Sequence, residues 1–495
     1  MSERFEELEI DDALAAASRV ASAIKNADSY DELAAAIAYR YAQRSDFDRA
    51  VDVADTINDP FAMEKSIADI AVLLNADGQE DGAFELIDSI EDPSHAANAR
   101  SQIAVAHAAA GNVDRALEIA TAMDDTSGTL VDIAYQCADQ DIHDRAIEIV
   151  GLMDFPLGAV WVRCRVARDY HKSGRVEEAL EMLNLALDET EEVEPPNERA
   201  AALAELAVRF QEFGSDEKSA QVLLLAMEVA ETADEDFQDA AFSQIAAGHA
   251  RLKQYDSAVS VTEKIDSVYL AASTLVELAI IEHEDESRHD DAVLLLSDAY
   301  DLIVEDEPHS QRDEAQHNYL LARIGVTYAL FDELDRAIKA SFAINELDMR
   351  FRALSDVAMQ FVQVEKPDDA LTMARKIEDE SICTGTLIKI ARVLITTGSK
   401  DQGLGVLTEA SRLFEKLERP FDKSQLAASL AIAYAEDDDS DRIGPTIKQA
   451  LEFARLIADP SAKTAALLTI ADACGKSGYE LDEQSKEALW EIASV

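Results

Sequence analysis

The chain has 495 residues, 100 of them Asp or Glu against 44 Lys or Arg, for a formal net charge of −56 at pH 7. A surface of that sign is unsuited to neutralising phosphates, which argues against nucleic acid as a ligand, and no run of 18 apolar residues marks a membrane span. Apolar residues make up 48% but aromatics only 6%, so the core must be built from Ala, Leu, Ile and Val, as close helix packing requires.

Taken in chain order, a charged start, Met1 to Asp12, leads into a helical segment whose Ile24 precedes Ile57 by 33 positions. This segment reads as the second helix of an incomplete repeat, so residues 1–29 are expected to be an N-terminal partial repeat or cap. From 30 to 480 an aliphatic residue followed by Ala or Gly recurs thirteen times in one register, from Ile37-Ala38, Ile70-Ala71 and Ile103-Ala104 through to Leu430-Ala431 and Ile470-Ala471. Six of the twelve intervals are 33 residues and four are 39 or 40. A fixed period in this range is one supersecondary unit copied end to end, each copy burying its apolar face against its neighbours.

Three further recurrences define the unit. Four residues after the aliphatic position comes a bulky side chain, as at Tyr41, Tyr170, Phe210 and Tyr434; eight after it comes a Gly in six copies, from Gly78 to Gly478. Thirteen after it stands a small residue, as at Ala50, Ala83 and Ala116, displaced by one at Ala220, Ala292 and Gly444. The pattern predicts a helix, a tight turn with a left-handed cap, and a second helix packed closely on the first. Copies longer than 33 residues are expected to lengthen their second helix or linker. Glu191 to Arg199 and Glu305 to Asp313, both Pro-containing, read as extended loops. Residues 481–495 read as a C-terminal capping helix.

These residues resemble the tetratricopeptide repeat, whose helix-turn-helix unit carries an aliphatic-small pair, an aromatic three residues after the small one and an Ala twelve after it. Ile37-Ala38 with Tyr41 and Ala50, Val166-Ala167 with Tyr170 and Ala179, and Ile324-Gly325 with Tyr328 and Ala337 carry the resemblance. It spans roughly residues 30 to 490 by register. The early Trp of that family is missing from most copies, and its usual length is 34. The fold class expected is all-α, a superhelical α-solenoid of about thirteen helix pairs.

The acidity is spread over nearly every repeat and not held in one tail. It is read as adaptation to a cytoplasm of very high salt, where at about 1 M the screening length falls to ~3 Å and self-repulsion is damped. Four cysteines, at 137, 164, 383 and 474, show no C-x-x-C spacing, which fits a reduced, cytoplasmic location without disulfides or zinc. No catalytic, cofactor-binding or metal-binding constellation emerges. His283 and Glu284 begin no H-E-x-x-H, and His107 and His249 fall at the bulky core position.

One segment is basic. Trp161 to Arg175 carries five cations counted as Arg and Lys and one acid. On a helix Trp161, Arg165, Arg168, Lys172 and Arg175 share a stripe with His171 beside it, opposite Val166, Ala167 and Tyr170. In the resembled family first helices line the groove that receives partner peptides, which implies an acidic or C-terminal carboxylate segment held here. The competing reading is an ion ladder. Residues just before the aliphatic position alternate in sign through Asp132, Arg165 and Glu205, and those six after it through Asp139, Lys172, Glu212, Arg251 and Glu284. The expected function is a non-enzymatic protein-protein interaction scaffold or assembly adaptor. The alternatives are a self-assembling structural protein and a regulator sensing a small anion.

Overall fold

The computed structural model describes residues 10–494. The start of the chain through residue 9 lies outside them. Every regular element among the described residues is helical, all α apart from two short 3-10 turns, and they build an all-α solenoid of thirteen first helices, each carrying one repeat's aliphatic-small pair. Contacts divide the chain into two compact units. One takes in the chain up to Arg100 and from Leu354 onward, and the other is Ser101–Ala353.

The register of the sequence is the register of the core. Ile37, Ile70, Ile103, Ile133, Val166 and Leu206 are all at most 1% exposed, as are the small residues that follow them. Their partners thirteen positions on, Ala50, Ala83, Ala116, Ala146 and Ala179, are fully buried, which lets the two helix backbones close on each other. Ala220 does not take this place. Ser219, thirteen positions after Leu206, is buried at 4% while Ala220 faces solvent, because a hydroxyl is small enough to sit where Ala sits elsewhere.

The turn between paired helices is made by a left-handed residue eight positions after the aliphatic one. All six expected glycines adopt it, with φ from 64° at Gly478 to 96° at Gly398. Six repeats place Ser45, Asp141, Lys253, Asp332, Glu365 and Asp438 there instead, at φ of 59° to 63°. In each case the next amide turns back to the carbonyl of the bulky position, as from Asp46 to Tyr41 at 3.0 Å and from Arg175 to Tyr170 at 2.9 Å, the bond of a Schellman cap. The repeat of Val268–His283 departs from this. Its bulky position is Glu282, 2% exposed, and a 3-10 turn, Glu286–Arg288, returns Arg288 Nε to within 2.6 Å of that carboxylate. A buried charge must be paired, and the altered turn supplies the pair.

The longer repeats spend their extra residues in the second helix. Repeats of 33 residues have second helices of 8 to 10 residues, such as Phe47–Ala54 and Leu334–Ala343. The five longest have 14 to 17, such as Val176–Glu189, Asp216–Thr232 and Ser440–Leu456. The added residues amount to about two turns. The two expected loops are correspondingly short, since a new helix begins at Pro196 and another at Gln311.

Successive repeats are also fastened by side chains near the start of the first helices. Asp31 accepts from the amides of Asn58 and Asp59 at 2.8 and 2.9 Å, Glu64 from Asp92 at 2.8 Å, and Asp239 from Asp266 and Ser267, both at 2.9 Å. Each satisfies otherwise orphaned amides at the next helix entry.

Within the first unit the two ends of the chain meet. The first helix Pro460–Ser477 is partnered by Ala13–Ala21, which stands against it as a second helix and also touches Ala27–Gln43. Ala17, 33 positions before Ala50, fills the small position and is fully buried. The Glu483–Ala493 helix packs chiefly on Ser440–Leu456 and on Ala13–Ala21. Residues 13–21 thus stand as the second helix of the last repeat.

Candidate functional site

The basic stripe lies on Pro156–Lys172, a first helix of the second unit that packs between Ser127–Asp139 and Pro196–Glu212. Its Val160, Val162, Val166, Ala167 and Tyr170 are buried, which turns the opposite side toward a cavity of about 400 Å³. The cavity is lined by Tyr135, Trp161, Cys164, Arg165, Arg168, Glu205 and Arg209. Three guanidinium groups therefore face one carboxylate in a protein with a large acidic excess.

The three are not equivalent. Arg165 is held by Asp139 at 2.6 Å and by Asp169 at 3.1 Å. Arg209 bonds Glu205 at 2.5 Å and Glu212 at 2.7 Å along its own helix. Arg168 makes no ion pair among the described residues, and its Nε is buried without a hydrogen-bond partner. Arg392, at the same register position as Arg168, shows why. It takes both oxygens of Glu436 on the next first helix, at 2.8 and 2.5 Å. Glu212 stands at the position of Glu436 beside Arg168, but Arg209 already occupies it. A buried donor left over in this way carries a desolvation cost that nothing among the described residues offsets.

Trp161 is 42% exposed and meets Phe155 edge to face, with ring centroids 6.1 Å apart. Burial pushes the Cys164 thiol up to about 12 and raises Tyr135 above its ordinary value, so at neutral pH both lining groups are neutral and neither is an activated nucleophile.

The structure thus brings Trp161, Arg165 and Arg168 to one cavity and leaves the other stripe residues elsewhere. His171 stacks on Phe213 at 4.2 Å. Arg175 lies over the Tyr170 ring at 3.8 Å and pairs with Glu178 at 3.1 Å. Lys172 is exposed and makes no ion pair among the described residues, so the expected rung from Lys172 to Asp139 and Glu212 does not form. Both acids are taken by arginines. Ion pairs do run between repeats, but diagonally. Arg165 reaches Asp139 at the end of the preceding first helix, and Arg251, at the end of its helix, reaches Glu277 in the next at 3.4 Å. Tyr135 and Arg209 were not among the sequence candidates. Their signal is their register, two and three residues after the aliphatic position, where successive first helices converge.

A second cavity of about 580 Å³ adjoins the first and shares Glu205 and Arg209 with it. Its cations are answered by acids, Arg251 by Glu205 at 3.5 Å and Lys253 by Asp285 at 3.6 Å. Among the described residues no group of three His, Cys, Asp or Glu is placed to hold a metal ion, and no helix is long and apolar enough to cross a membrane.

No family model and no curated protein matches the chain. Solved structures with similar helical arrangements include Ton1535 from Thermococcus onnurineus NA1, with 16% identity over 71% of this chain and 97% of that one, at a TM-score of 0.23. A circular tandem repeat protein with novel repeat topology shares 14% identity over 88% of this chain and 94% of its own, at 0.26. The human IFIT1 dimer with m7Gppp-AAAA shares 12% over 80% and 90%, at 0.24.

Proposed function

We propose that the protein is a non-enzymatic scaffold or assembly adaptor of tetratricopeptide-like repeats, working in a cytoplasm of high salt, whose second unit captures an acidic segment of a protein partner. The observation that carries this is Arg168, a guanidinium in a cavity with a buried, unanswered Nε and an exposed Trp161 at its rim. A carboxylate side chain or chain terminus would take the fork of Arg168 while the adjoining residue stacks on the indole. The contact is a short hydrogen-bonded one, so molar salt weakens it less than it would a long-range attraction. The acidity of the chain opposes nucleic acid as the partner, and the neutral Cys164 and Tyr135 offer no reacting group.

Peptides ending in Asp or Glu with a free C-terminus, and matched peptides ending in an amidated Asn or Gln, test the reading by calorimetric titration in molar KCl. Binding of the carboxylate forms only, lost in Arg168→Ala and Trp161→Ala with melting temperatures unchanged, is the expected result. Equal binding of both forms, or retention in Arg168→Ala, would sink it. The cavity volume of about 400 Å³ favours a second reading, a sensor of a small dicarboxylate, which free dicarboxylates competing at the same site would reveal.

A further inference from the structure

The last repeat is built from two separate pieces of chain. Its first helix, Pro460–Ser477, contributes Leu467, Ile470 and Ala471, and its second, Ala13–Ala21, contributes Leu14, Ala17 and Val20, all at most 5% exposed. Leu489 and Ile492 of Glu483–Ala493, at 0% and 1%, complete the packing. Beyond this, Arg40 on Ala27–Gln43 bonds Asp472 at 2.8 and 2.7 Å, and Arg44 bonds Asp12 at 2.5 Å. The junction reproduces the register of every other helix pair in the chain, yet no turn joins its halves.

We propose that this junction is also a docking surface for a second copy of the chain, with the N-terminal end of one protomer seated on the C-terminal end of another, head to tail. The two faces are complementary, Leu14, Ala17 and Val20 on one and Leu467, Ile470 and Ala471 on the other. Nothing in their contacts requires the helix at residues 13–21 to come from the same molecule. Ala13–Ala21 has nine residues, five of them Ala, and ends in the five-residue connector 22–26. So short a helix is marginal on its own and holds its form by packing. The same contacts form within one copy or between two, so effective concentration decides between them. A tethered partner is present at on the order of mM, which makes self-closure the dilute form and exchange between copies the form at high concentration or when self-closure is spoiled. Because donor and acceptor faces differ, the contact is heterologous, and open copies extend by repeating it.

Complementation between two full-length variants tests this independently of the groove. Ala17→Glu spoils the donor helix and leaves the acceptor intact, and Ala471→Glu does the converse. Neither variant closes on itself, but together they hold one intact donor and one intact acceptor. In molar KCl, light scattering and native mass spectrometry should show monomers for each alone and a 1:1 heterodimer on mixing. A mixture that remains two monomers, or self-association of either variant alone, overturns the proposal. Should either substitution cost the chain its helical circular dichroism, Arg40→Asp and Asp472→Arg replace them. Each of these repels itself across the junction, and opposite charges face each other only at the junctions between unlike copies. A mixed dimer supports the proposal, and its absence overturns it.

Discussion

The guanidinium of Arg40 holds the carboxylate of Asp472 through two bonds, of 2.8 and 2.7 Å, across 432 positions of sequence. The two first helices that carry them are thereby neighbours, as consecutive repeats are elsewhere. With the Arg side chain 26% and the Asp 38% exposed, the pair is partly solvated, so its worth lies near the upper end of the surface range. A double-mutant cycle with Arg40→Ala and Asp472→Ala, run in molar KCl, should give a coupling of about 0.5 kcal/mol, because only contacting charges still interact there. A coupling of zero in molar KCl would mean that the two ends do not hold each other in solution.

The periodicity made the core legible because it is a packing requirement repeated thirteen times. The meeting of the ends was half legible. The 33-residue step from Ile24 to Ile57 gave the segment around Ile24 a second-helix register, but register alone does not say which first helix an unpaired second helix meets. The run of cations was legible in the sequence, but its pairing was not, since which arginine lacks an ion pair depends on Arg209 reaching Glu212 before Arg168 does.

The left-handed turn position gives a second prediction. Glycine there was visible in six repeats, but Lys253 and Glu365 adopt the same conformation at φ of 59° and 62°, against the usual penalty of roughly 1–2 kcal/mol for a residue with a Cβ. Lys253→Gly and Glu365→Gly should each stabilise the chain by about 0.5–1 kcal/mol, the gain reduced by the added freedom of glycine in the unfolded chain. Gly174→Ala, where space is open but φ is 77°, should cost about 1 kcal/mol. Thermal melts in matched buffer check both signs, and a destabilising Lys253→Gly would contradict the turn assignment.

The buried thiols offer a third. Burial holds all four above the ordinary range, Cys474 at about 11 against 9.0 for a free thiol. At pH 8 its thiolate population should be about a hundredfold below that of a free cysteine. Cys474 sits beside Arg44 and Asp12 at the junction of the two ends, so its rate with a disulfide reagent reports whether that junction is closed. Ala17→Glu should raise the rate by at least tenfold while Cys137, Cys164 and Cys383 stay slow. A uniform rise of all four would indicate general loosening and not an opened junction.

The fourth concerns interior register. Ala104 and Ala246 are fully buried at the small position of their first helices. Ala104→Glu and Ala246→Glu should each cost a few kcal/mol, through overpacking and an unpaired buried charge. Lys172→Glu, at an exposed site without an ion pair among the described residues, should change stability by less than about 0.5 kcal/mol. The ion-ladder reading expected a measurable loss there, so the Lys172 variant separates the sequence pattern from the geometry found.

Salt provides the last prediction. The net charge of −56 is carried on a solenoid whose ion pairs are mostly part-exposed, as the 47% and 49% of Arg175 and Glu178 illustrate, so local pairing offsets little of the global repulsion. In dilute buffer the screening length is long enough for charges on neighbouring repeats to repel one another, whereas near 1 M it is ~3 Å and only contacting charges interact. Helical circular dichroism should therefore fall in dilute buffer and recover in molar KCl, with the melting temperature rising between the two. The junction of the chain ends, with its short donor helix, should be the first part to open as salt is withdrawn, so the Cys474 rate should climb at salt concentrations where bulk helicity is still intact. If melting temperature and thiol rate were both flat across that range, the acidity would have to be explained by a basic partner and not by the solvent.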